Sequence, residues 1–176
     1  MVTKKTALKD HASKNNLDKK SKEDLDPSKR VLRKFRLVFN TVKSHFHSIE
    51  KKVGIGGAQV WALSVIANKP GLGVNDLAIA LDIHQTTASN LVRGLVKLGM
   101  IDVKKNGPDR RTVQLHVLPA GEKILQKTPA PFSGVLPHAL EQLDAKTLER
   151  LDKDLAKLMC LINADDSAAR IPLGQK

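Results

Sequence analysis

From Gly71 to Leu118 the chain reads GLGVNDLAIALDIHQTTASNLVRGLVKLGMIDVKKNGPDRRTVQLHVL, with hardly a residue to spare between its patterns. Val74, Leu77, Ala78 and Leu81 recur at helical spacing, which predicts a helix over 74–81 with one apolar face. Gly73 stands at its N-cap, where a glycine gives up a side-chain cap. Asp82 and Ile83 turn the chain, and His84 takes the next N-cap, where Ser, Thr, Asp or Asn is the usual choice. A second helix runs from about Gln85 to Leu98, with Ala88, Leu91, Val92, Leu95 and Leu98 inward, and Gly99 stops it. Met100–Lys105 and Thr112–Leu118 then read as two strands, the latter alternating Val113, Leu115 and Val117 with Gln114 and His116. Asn106-Gly107-Pro108-Asp109-Arg110-Arg111 is the turn of this hairpin. Two helices on a tight turn, followed by a hairpin with a basic tip, leave few arrangements open.

The outward face of the second helix carries Gln85, Thr86, Thr87, Ser89, Asn90 and Arg93, and no acidic residue occurs from Gln85 to Met100. Solvated helices ordinarily use Glu and Lys there. Gln and Asn match adenine edges, Arg matches guanine, Thr methyls touch thymine, and all of them reach phosphates. On the hairpin, Lys104, Lys105, Arg110 and Arg111 gather positive charge, and Asp109 among them suits a carboxylate that orients an arginine fork. An arginine on a projecting hairpin can enter a narrow minor groove. The pattern points to double-stranded DNA.

Long apolar seams flank this module. Leu32, Phe35, Phe39, Val42, Phe46, Ile49 and Val53 alternate spacings of three and four from Pro27 to the stop at Gly54. Past Pro129, Pro131, Gly134 and Pro137, a helix is expected from about His138 to Ala164, with Leu148, Leu151, Leu155, Leu158 and Ile162 in the same rhythm. Leu140 and Leu143 precede them in a shifted register. Packing within one chain is one use of such seams; they are more extensive than one small domain needs, so a homodimer is expected. Between the flanks, Gly57–Asn68 is a short apolar helix ended by Lys69-Pro70-Gly71, with Val60, Leu63, Ser64 and Ala67 on one face. Trp61 is expected in the core or at a subunit junction.

Lys and Arg number 30 against 18 Asp and Glu, a formal net charge of +12, which favours a polyanionic partner. Residues 1–26 hold too little apolar surface to offset ordering and read as a disordered basic tail; residues 165–176 read as a flexible C-terminus. No apolar run approaches the roughly 18–20 residues that span a bilayer, and one cysteine, Cys160, fits a reducing compartment, so a cytoplasmic protein with no membrane association is expected. Scarce aromatics argue against base stacking on single strands.

Leu77-Ala78, Thr86-Thr87-Ala88-Ser89-Asn90-Leu91-Val92, Leu95, Lys97 and Gly99, then Asp109-Arg110-Arg111, Val113, Leu115 and Gly121, resemble the MarR family of winged helix-turn-helix regulators. The resemblance extends over roughly Leu32 to Ile162. It implies a mainly α fold with a small β-hairpin wing, a winged helix-turn-helix over 57–128, and dimerisation helices at 27–53 and 138–164. It further implies a homodimeric transcriptional regulator, expected to be a repressor on a pseudo-palindromic operator. Gln85–Arg93 would lie in the major groove, Arg111 in the minor groove, and Asp109 would orient the wing. Relatives often bind small aromatic anions beside the dimerisation helices; the corresponding crevice would lie near Arg36, Phe39, His45 and Trp61, so a small-molecule effector is a candidate partner.

Other chemistry finds little footing. His45 and His47, two apart on a helix, point in different directions, and no Cys/His cluster has ligand spacing, so neither a metal nor a cofactor is expected. Gly54-Ile55-Gly56-Gly57 lacks the preceding strand and following Lys-Ser/Thr of a phosphate cradle. No nucleophile has an interpretable base partner, so an enzyme is not expected. The rival reading is an architectural or non-specific coating protein on double-stranded DNA.

Overall fold

The computed structural model describes residues 26–105 and 113–173. The tail before Asp26, the hairpin-tip residues Asp109, Arg110 and Arg111, and the side chain of Lys105 therefore lie outside the described residues. Two compact units are distinguished, Met1–Asn40 and Thr41–Lys176. Helix α1, Pro27–Val53, starts in the first and ends in the second. Asp26 accepts from the Ser28 N–H (3.4 Å), and Pro27 fills the first helical position, where a missing N–H costs nothing. At the other end Gly54 turns with φ +78°, a left-handed conformation that glycine adopts without a Cβ penalty.

In the second unit, α2 (Gly57–Asn68) touches α3 (Val74–Ala80), α4 (Gln85–Lys97), strand β2 (Val113–Val117) and α5 (Pro119–Lys127). That position explains its composition: Val60, Ala62, Leu63 and Ile66 are wholly buried, so the helix is apolar nearly all round rather than on one face. Around it Ile49, Leu77, Leu95, Ile101 and Leu115 complete the core. Full burial of such a side chain stabilises by about 1.5–3 kcal/mol. Trp61 is half-buried and packs against this cluster. Buried Ser64 is satisfied by donating its hydroxyl to the Trp61 carbonyl at 2.7 Å.

Strand β1 (Ile101–Lys105) pairs antiparallel with β2, Val103 opposite Leu115 and Asp102 opposite His116. The alternation follows the pleat, with Ile101 and Leu115 buried and Asp102 and Lys104 exposed. Leu115 also bonds outward: its carbonyl accepts from Gly71 N–H (2.8 Å), and its N–H donates to the Leu72 carbonyl (3.1 Å). The hairpin is thereby tied to the segment that leads into α3.

Three expectations change. The helix expected over His138–Ala164 is two helices, α6 (Val135–Glu141) and α7 (Ala145–Leu161). Asp144 breaks it, accepting from the Thr147 N–H at 3.0 Å as the N-cap of α7, which accounts for the register shift between Leu143 and Leu148. Leu98, assigned to the inward face of α4, is 49% exposed, because the helix ends at Lys97 and the chain turns away at Gly99. The last stretch, expected to be flexible, carries a 3₁₀ helix, Asp166–Arg170. Helix α5 had not been anticipated: Pro119 at its start is a good signal, but Gly121 two residues on obscures it. No helix among the described residues is long and apolar enough to cross a membrane.

Candidate nucleic-acid interface

Helix α4 is held from beneath. Ala88, Leu91, Val92 and Leu95 are buried, and α2, α3 and β1 all pack on it. The opposite face therefore has to carry the polar side chains: Gln85, Thr86, Asn90 and Arg93 are exposed, and Thr87 and Ser89 half-buried. Burial thus divides the helix as its spacing predicts, and the six residues share one acid-free face. Close behind it in the chain, Lys104 is exposed on β1, paired across the hairpin with Gln114.

One pairing on that face escaped the sequence reading. The Arg93 guanidinium donates to the Asn90 side-chain oxygen, so the two hydrogen-bonding groups are mutually oriented in the free protein. Their separation of three residues on a helix was the available signal. The caps follow a similar logic. Gly73 offers α3 no side chain, but Asp76, three residues on, accepts from the Gly73 N–H at 3.2 Å. Gln59 does the same for the Gly56 N–H ahead of α2, also at 3.2 Å. His84 has no such substitute: its ring makes no capping bond to α4.

Helix, tight turn, helix and two-stranded wing make this a winged helix-turn-helix. A sequence model described as MarR family matches residues 53–112, the stretch from the end of α1 through α4 and into the wing. Over those residues the chain is similar to the MarR family. A protein named for regulation of the hcr operon in Thauera aromatica is 37% identical over 65 residues, 37% of this chain and 39% of that protein. The matched part is thus well under two thirds of that relative's length. Among solved structures, a MepR-like protein complexed with pseudoligands superposes with a TM-score of 0.54 at 13% identity, over 76% of this chain and 94% of that one. The MepR–DNA complex from S. aureus gives 0.51 at 20% identity, over 76% and 95%. At such identities the likeness is one of fold.

Of the four residues expected near an effector crevice, two belong to each unit. Arg36 and Phe39 are exposed on the part of α1 that belongs to the first unit. In the second unit, the His45 ring stands edge-on to Phe46, and its Nε2 is buried with no hydrogen-bond partner among the described residues. Trp61 alone of the four lines a cavity of about 200 Å³, together with Phe46, Leu81, Ile83, Pro137 and Ile171. No local pattern could have signalled that cavity, since its walls come from the two ends of the unit.

Proposed function

We propose that this protein is a homodimeric transcription regulator that binds duplex DNA sequence-specifically, with α4 in the major groove and the hairpin beside it. The observation that carries the reading is the acid-free exposed face of α4, fixed to a buried core directly after α3 and a tight turn. The solved S. aureus relative in complex with DNA has the same fold and supports it. In this reading Gln85, Thr86, Thr87, Ser89, Asn90 and Arg93 face bases and phosphates. Lys104, Lys105 and Arg110 neutralise phosphates, Arg111 enters the minor groove and Asp109 orients it. Two copies place their α4 helices about 34 Å apart, one turn of DNA, so the operator is a pseudo-palindrome.

The sign of regulation is proposed as repression, relieved when a small ligand binds. The apolar cavity beside Trp61 favours that reading, as does the MepR-like relative solved with pseudoligands. His45, in the same unit as the cavity, is a further candidate contact for the ligand.

Footprinting on the DNA upstream of the protein's own gene tests the proposal. A protected inverted repeat that survives excess random duplex is expected, and loss of protection to random competitor would favour a non-specific coating protein. Arg93→Ala and Arg111→Ala are each expected to weaken operator binding by about 1–3 kcal/mol. Unchanged affinity in both variants at moderate salt would sink the assignment.

A further inference from the structure

His84 is the odd residue of the module, and the structure shows where its ring goes. Nε2 lies 3.3 Å from the Ser167 carbonyl, and the His84 backbone N–H donates to the Arg170 carbonyl at 3.4 Å. A carbonyl can only accept, so the ring donates from Nε2. The residue that opens α4 is therefore engaged, through both its backbone and its side chain, by a segment 83 residues away.

That segment is built to hold a shape. Asn163, in a left-handed conformation with φ +48°, turns the chain off the end of α7. Asp165 then caps the 3₁₀ helix by accepting from the Ser167 N–H (2.9 Å) and hydroxyl (2.6 Å). Beyond it, Ile171, Pro172 and Leu173 form one wall of the cavity whose other walls include Phe46, Trp61 and the turn Leu81–Ile83. The same short stretch thus closes an apolar cavity and touches His84, the residue at the N-cap position of α4. Its two bonds to His84 are long and lie at the surface, the kind of contact that opens locally without global unfolding.

We infer that residues Asp165–Leu173 are a releasable strap on the helix-turn-helix. Docked, the strap walls the cavity and fixes the start of α4; released, it opens the cavity and frees the first turn of that helix. At about 200 Å³ the strapped cavity is smaller than the roughly 300–1,000 Å³ of ordinary ligand sites, so a larger apolar guest has to displace the strap. The strap's effect on DNA rests on the reading of α4 proposed above. A pre-organised helix start favours binding, so strap release weakens it.

Hydrogen exchange on the full-length protein, without DNA, tests the strap itself. His84→Ala removes the ring contact, and exchange is expected to quicken by on the order of tenfold in residues 165–173 and in the first turn of α4. A chain ending at Ala164 is expected to show red-shifted Trp61 emission, reversed by a synthetic peptide of residues 165–176. Should that shortened chain fail to fold, the full-length His84→Ala comparison decides. Exchange in residues 165–173 that is identical in wild type and His84→Ala overturns the strap. Operator affinity measured on the same proteins separates the two proposals: a strap that responds in a protein binding no duplex supports the strap and sinks the DNA reading. Operator binding with unresponsive exchange does the reverse.

Discussion

At Gly121 a methyl group would stand 2.5 Å from the Met100 carbonyl oxygen, 2.9 Å from Val117 and 3.0 Å from Leu63. The first of these is backbone, tied by its own bond from the Leu118 N–H, and cannot swing aside. Gly121→Ala is therefore expected to destabilise the fold by about 1–3 kcal/mol, read as a lower urea midpoint with an unchanged slope. The sequence marked Gly121 through the family resemblance, yet the reason for it is a contact between α5 and the start of the hairpin that no local pattern contains. His84 shows the opposite case. Its unsuitability as a cap was legible from residue type alone, and the partner that explains it lay at the far end of the chain. Residue-level oddities are visible early; their causes are tertiary.

Whole elements were legible where periodicity and punctuation agree. Pro27 and Gly54 bracket α1 to the residue, and Gly57–Asn68, Gln85 and the strand pairing stand close to where spacing puts them. Where they disagree, the local cap wins. The seam of leucines suggested one continuous C-terminal helix, but Asp144 offers the backbone a side-chain acceptor and the helix restarts there. Hydrogen bonds from Thr147, side chain foremost and then backbone N–H, hold the Asp144 carboxyl below its usual range. A lowered folded-state value means that the cap stabilises fully above the unfolded-state pKa and is lost as pH falls through the folded one. Acidification through the carboxylate range is thus expected to loosen the first turn of α7, seen as lower protection of its amides relative to their intrinsic exchange at each pH. Asp144→Asn should keep the cap and lose the pH response, while Asp144→Ala should lose both. An α7 start with the same protection factors at neutral and acid pH would contradict this.

At the scale of the molecule, Ile49 of the α1 seam is buried, but other seam residues are left exposed in the single chain. No residue of α7 is buried, Ile162 is 64% exposed just beyond it, and on α1 Phe39 is 65% and Leu32 49% exposed. In the homodimer proposed above, a second copy of the same chain covers these seams with matching heptads. Phe39→Glu and Leu151→Glu are each expected to raise the dimer dissociation constant by about 30-fold or more, and light scattering that still reports a dimer at low micromolar concentration in both would refute the assignment. The seams are legible in the sequence because heptads are written locally; which helices meet is not. One feature inside the chain bears on how it folds in time. Because α2 touches α3, α4, α5 and β2, each of those elements lacks part of its native packing until α2 is in place. Folding is thus expected to nucleate at this nearly all-apolar helix, and a fragment running only from Gly71 to Leu118 would contain every residue proposed to face DNA but lack the helix on which α3, α4 and β2 pack.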